Sequence, residues 1–200
     1  MILALLFSFA FHWFVDWVAC RAPVMLISSC FRHSKATLSL SGYDFAWRTS
    51  VISAVHAIVT GLGSLIGFYM TPGLSDDLIE SSSLFTINLV SYSVGYFLMD
   101  VIHMYLFSKT KGTVELIVHH VVIILCFSSS LYSGKYVGYS VVALLIEINS
   151  VFLHLRRISK YLCVPKENIF SRILCFANIG KSFHYDYHFQ LRYVRAASFT

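Results

Sequence analysis

Charge is what this sequence has least of. Asp, Glu, Lys and Arg make up 12% of its 200 residues, about half the fraction usual in a soluble domain. With 57% hydrophobic residues and a mean hydropathy of +0.70, a water-soluble globule is excluded. The five cysteines (Cys20, Cys30, Cys126, Cys163 and Cys175) follow no zinc or redox spacing, so no disulfide framework can be read. No basic segment precedes the first apolar run, which argues against a cleavable signal peptide and for a retained first span. Prolines are few, and Pro23, Pro72 and Pro165 all fall between or after the apolar runs. Internal repeats, low-complexity tracts and a domain linker are also missing, which leaves one helical membrane domain as the simplest reading.

A crossing helix needs about 20 apolar residues. Five stretches qualify: Met1–Ala19, Val51–Met70, Leu84–Phe107, Val114–Leu131 and Val137–Leu155. The connections test the count. The first holds Arg21, Arg32, Lys35 and Arg48, and the second only Asp76, Asp77 and Glu80. The third carries Lys109 and Lys111, the fourth a lone Lys135, and the fifth Arg156, Arg157, Lys160 and Lys166. Basic and non-basic connections alternate, which places the first, third and fifth in the cytosol and the N-terminus outside. The net charge of +5 is thus topological, and no nucleic-acid partner is expected. The expected fold is an all-α polytopic transmembrane helical bundle of about five spans plus an incomplete C-terminal segment. Residues 1–46 form the first span and its connection, 47–174 the main membrane domain, and 175–200 an atypical, variant or disordered terminus.

Ionisable groups inside a span cost about 2.5–3.5 kcal/mol near its centre, so each needs a partner or a cavity. The set is small and is expected in the second to fifth spans: His56, Asp100 with His103, His119 with His120, and Glu147 with Asn149. Asp100 and His103, three apart, share a helix face, either as a mutual pair or as part of a site. His119 and His120 diverge by about 100°, so at most one points straight at a given neighbour. Glu147 falls mid-span, where a carboxyl is expected to be protonated or hydrogen-bonded. His154, beside Arg156 and Arg157, reads as membrane-edge. Within the spans no His-x-x-x-His or Glu-x-x-His spacing occurs, so no metal site is read. The run Ser128-Ser129-Ser130 has no nucleophile-elbow context, so a serine triad is disfavoured. Among catalytic options a His–Asp acid–base pair acting on a lipid fits best.

Four ordered pieces carry a resemblance. They are Trp47-Arg48 with His56 and the Thr71-Pro72 turn; Gly95-Tyr96-Phe97-Leu98-Met99-Asp100; Glu115-Leu116-Ile117-Val118-His119-His120; and Leu145-Ile146-Glu147-Ile148-Asn149-Ser150-Val151-Phe152-Leu153. From Trp47 to Lys160 the chain resembles the TLC-domain family, which includes TRAM proteins and ceramide synthases. The tract Gly134-Lys135-Tyr136-Val137-Gly138 is most similar to the family's small TLC domain-containing subgroup. The resemblance implies a plasma-membrane protein, with the endoplasmic reticulum as the alternative. It also implies a role in limiting fluidising polyunsaturated phospholipids. In the ceramide synthases paired histidines and downstream aspartates serve acyl transfer from acyl-CoA. His119 and His120 match the pair, but Glu147 and Asn149 do not reproduce the acidic run. His103 stands where many small relatives carry a second aspartate.

The preferred expectation is therefore a regulator of phospholipid acyl composition and membrane fluidity rather than an enzyme. It would bind a phospholipid or acyl chain through His56, Asp100, His103, His119, His120, Glu147 and Asn149. The alternative is an acyl-CoA-dependent acyltransferase with His119 or His120 as base and Asp100 as its orienting partner. A third reading makes these groups interhelical glue, acting through partner binding. No cofactor is expected, acyl-CoA being a substrate only in the enzymatic case. Self-association is left open.

Overall fold

A computed structural model describes residues 1–21, 40–107, 111–162, 164, 168 and 172. The expectation for 175–200 lies outside the described residues. Among the described residues six helices follow in order: α1 (Ile2–Arg21), α2 (Leu40–Met70), α3 (Leu84–Phe107), α4 (Lys111–Ser133), α5 (Val137–Leu145) and α6 (Glu147–Tyr161). No strand occurs among the described residues. Among the described residues five helical stretches are long and apolar enough to cross a membrane, the fifth being Val137–Tyr161. This is what lipid requires, because a helix satisfies its backbone polar groups internally. The chain is thus a multi-pass, all-helical membrane protein.

The third span is found at Leu84–Phe107, as expected, and the fourth is two or three residues longer at each end. Two expected boundaries need correction. The second helix starts at Leu40 rather than Val51, so Arg48 is a helix residue and not part of a connection. The fifth span is interrupted at Ile146, whose N–H bonds Ala143 O at 3.2 Å, before α6 begins at Glu147. Glu147 is therefore not a mid-helix carboxylate. It opens the first turn of α6, where the helix dipole favours negative charge.

The chain divides into two compact units, Met1–Val15 with Val55–Ile148, and Asp16–Ala54 with Asn149–Thr200. In the first unit α3 is the most enclosed element, with 67% of its apolar window buried against 17% for α4. Its start is fixed by a reciprocal cap. Ser83 Oγ accepts from the Thr86 N–H at 3.2 Å, and Thr86 Oγ1 accepts from the Ser83 N–H at 2.8 Å. Ser83→Ala is expected to lower stability by about 1 kcal/mol in thermal unfolding of the detergent-solubilised protein.

The polar loop between α2 and α3 docks on the connection between α4 and α5. Lys135 Nζ lies 2.7 Å from Glu80, and Tyr136 N–H donates to Ile79 O at 2.8 Å. The Glu80 carboxylate, through its hydrogen bond and its charge, holds Lys135 above the usual lysine pKa. The second and fourth connections thus lie together, as the alternating-charge topology requires. Gly138 permits this approach, because a Cβ there would sit 2.7 Å from Leu78 O.

The many serines and threonines of the spans are largely self-satisfied. Ser50, Ser53, Thr60 and Ser64 of α2 each donate to the carbonyl four residues back, at 2.7–2.8 Å. Ser130 bonds between helices instead, with Oγ 2.9 Å from Ser140 Oγ on α5. Such a bond contributes about 0.6 kcal/mol in a membrane.

In the second unit the end of α1 packs on the start of α2. Trp47 Nε1 donates to Ala19 O at 3.3 Å, and the Tyr161 ring of α6 stands edge-on to Trp47. Arg48 Nε donates to Asp16 Oδ1 at 2.8 Å, and its Nη2 bonds Asp16 Oδ2. The ionisable groups were expected to be concentrated in the second to fifth spans, and Asp16 adds one in the first. It escapes notice in the sequence because the sixteen apolar residues of Met1–Ala19 dominate any hydropathy average.

Candidate functional site

The first unit holds a continuous polar and aromatic core along α3. Gly95 sets it up by letting α1 approach. A Cβ at Gly95 would lie 2.6 Å from Leu5 O and 2.9 Å from Ser8 Cβ. At this contact Ser8 Oγ donates to the Tyr92 carbonyl at 2.5 Å. One turn on, His12 Nδ1 lies 2.8 Å from Ser8 O, and Tyr92 OH lies 3.2 Å from His12 Nε2. A carbonyl can only accept, so Nδ1 carries a proton, and Nε2 accepts the Tyr92 hydroxyl proton. His12 is fully buried, and this network satisfies a neutral imidazole at both nitrogens.

His56 of α2 continues the layer. Its ring stacks on Tyr96 at 3.8 Å between centroids and lies 5.2 Å from Phe97 and 5.9 Å from His12. Aromatic pairs of this kind contribute about 0.5–1.5 kcal/mol beyond area burial, and they hold the rings in fixed orientations. Phe97 then leads to α4, its ring 5.0 Å from His120. One turn along α3, Asp100 Oδ2 lies 3.0 Å from His120 Nδ1, with both residues buried. The Nδ1 N–H is not aligned with that oxygen as a hydrogen bond requires.

The structure therefore brings His56, Asp100 and His120 into one core and adds His12, Ser8, Tyr92 and Tyr96. It does not pair Asp100 with His103. The His103 ring is buried beside Trp13 at 5.8 Å and Phe107 at 5.9 Å. The adjacent histidines separate as their 100° offset demands: His120 faces the core and His119 is exposed. Glu147 is half-buried at the start of α6. Asn149 is exposed and belongs to the second unit. Among the described residues no group of three or more His, Cys, Asp or Glu is placed to hold a metal ion.

His12 is the residue that sequence reasoning missed. Ser8, His12 and Asp16 recur every four residues and so mark one helical face, a signal available without coordinates. Chemically, the core offers two imidazoles linked by tyrosines and one acid–imidazole contact, enclosed by aromatic rings.

The model of the TLC-domain family matches residues 46–189 and so includes most of this core. The chain belongs to the TLC-domain family. TLC domain-containing protein 2 of Danio rerio is 44% identical over 137 residues, covering 68% of this chain and 55% of the relative. The Homo sapiens protein 2 is 40% identical over 113 residues, covering 56% and 42%. TLC domain-containing protein 1 of Homo sapiens is 30% identical over 155 residues, covering 74% and 62%. The chain spans about half the length of the curated relatives it matches. No solved structure matches it. Ser8 and His12 lie before the family match, so the α1 side of the core is supplied by sequence outside the matched domain.

Proposed function

We propose that this TLC-domain protein regulates the acyl composition and fluidity of the membrane it spans. It limits fluidising polyunsaturated phospholipids by holding a phospholipid or acyl chain against the core of α3, with the plasma membrane as its site of action. The observation that supports this most is the buried contact between Asp100 and His120 at 3.0 Å, inside two apolar spans. An acid and an imidazole at that depth are costly, and function is the default reading of such groups. His12, His56 and Tyr92 extend the buried polar core beside that contact.

The same contact favours one second reading, an acyl-CoA-dependent acyltransferase. There Asp100 would orient His120 through Nδ1, leaving Nε2 to take the proton of an acceptor hydroxyl.

Lipid profiling of cells expressing His120→Ala and Asp100→Asn tests the first reading. The acyl-chain shift caused by the unmodified chain should be lost in both variants at equal protein abundance. An unchanged shift at normal abundance rules the core out of the function. Labelled acyl-CoA incubated with the purified protein separates the two readings. Turnover that disappears in His120→Ala would establish the enzyme and displace the regulator.

A further inference from the structure

Asp100 and Phe97 of α3 both approach the ring of His120 on α4. They stand three apart in the sequence, so they share a helix face. Asp100 meets the imidazole at Nδ1, 3.0 Å from its Oδ2. Phe97 meets the same ring from one turn away, with centroids 5.0 Å apart and planes tilted by 52°. Because the Nδ1 N–H does not align with Oδ2, the carboxylate constrains distance more than direction. The direction of the ring is left to packing.

Phe97 is placed to supply that packing. It is 3% exposed, and its ring lies 5.2 Å from those of Tyr96 and His56 and 6.3 Å from that of Phe127. His120 and Phe127 are seven apart, two turns along one face of α4, and both are buried. Phe97 thus packs against both of them and against His56 of α2. A ring enclosed in this way cannot swing aside, and in a close-packed interior its neighbour cannot turn unless it does. Phe97 also offers no hydrogen bond to either imidazole beside it, which leaves Asp100 as the polar group at Nδ1 of His120.

We propose that Phe97 is a positioning residue for the lipid site. Its ring holds the His120 imidazole with Nδ1 toward Asp100, so that the edge carrying Nε2 is the one presented to a bound phospholipid. The two ring nitrogens are distinct, and what one of them meets decides what the other can offer. The His120 side chain keeps 11% of its surface open although Nδ1 is enclosed, which fits a ring used from its other edge. This inference rests on the reading that His120 serves the lipid function.

Nitrogen NMR of the full chain in detergent micelles, with isotope-labelled histidine rings, tests it. The His120 signals are identified by their disappearance in His120→Asn, and Asp100→Asn shows how far they move when the acid is lost. Phe97→Ala should also shift them, because the ring is free to turn away from Asp100. Phe127→Ala removes the same volume on the other side of Phe97 and should leave them in place. If Phe97→Ala does not fold, Phe97→Val makes the same comparison with a smaller cavity. In lipid profiling at equal protein abundance, the Phe97 variant should lose the acyl-chain shift as His120→Ala does.

His120 signals that stay in place in the Phe97 variant, or that move as far in Phe127→Ala, overturn the positioning role whatever the lipids do. So does an acyl-chain shift that survives the Phe97 variant but not His120→Ala. An acyl-chain shift that survives His120→Ala is a different failure. It removes the lipid reading itself, and the packing of Phe97 on His120 then stands or falls by the NMR signals.

Discussion

Asp16→Ala is expected to destabilise the second unit by about 2–3 kcal/mol, more than a typical single substitution. Two hydrogen bonds join the Asp16 carboxylate to Arg48, from Nε at 2.8 Å and from Nη2. The Asp16 side chain is 9% exposed and that of Arg48 25%. Removing one partner of a buried ion pair costs about 3–5 kcal/mol, and the partial exposure of Arg48 lowers that figure. The asymmetry of the pair is a sharper test. A guanidinium stays charged whatever its surroundings, whereas a stranded carboxylate can take up a proton. Arg48→Ala should therefore cost less than Asp16→Ala. Replacing both residues should recover much of the loss, because no charge is then left without its counterion. Thermal unfolding of the four proteins in one detergent measures this directly. Additive losses in the double variant would mean that the contact seen between Asp16 and Arg48 contributes nothing.

That pair also marks where sequence reasoning reached its limit. The five spans were legible because lipid imposes a length and a composition, and α3 ends where its apolar run ends. The start of α2 was not legible, since Asp44 and Arg48 look like loop residues until a partner for Arg48 is known. The divergence of His119 and His120 followed from helix geometry alone, and His120 is the one that faces the core. Which of the two would do so depended on the position of α3, which no spacing within α4 encodes. The interruption at Ile146 had no signal of the usual kind, because neither proline nor glycine stands there. Only Glu147, better placed in a first turn than in mid-helix, hinted at it. Similarly, Asp100 and His103 share a helix face by spacing, but Trp13 of α1 and His120 of α4 draw them to different neighbours.

Gly95→Ala is expected to destabilise the first unit, although helix propensity alone favours alanine over glycine by about 1 kcal/mol. The added Cβ would meet Leu5 O at 2.6 Å and Ser8 Cβ at 2.9 Å. Backbone of α1 is the obstacle, so no side-chain rotation relieves the overlap and the helices must separate. Overpacking of this kind costs about 1–3 kcal/mol, enough to reverse the propensity gain. The Ser8 hydroxyl bond to Tyr92 O and the Tyr92 contact with His12 are lost in the same movement. Gly95→Val should be worse still and should remove the lipid phenotype along with His12→Ala, if the α1 side of the core takes part in function. Gly67→Ala is the comparison on α2, where the nearest atom is Thr86 Cγ2 at 3.3 Å, a looser contact with a side chain rather than with backbone. A stability gain at Gly95 equal to that at Gly67 would show that α1 does not rest on α3 at this point. The tyrosine–histidine network would then need another basis. A loss at Gly95 beside a neutral or favourable change at Gly67 would trace the site's geometry to one missing side chain.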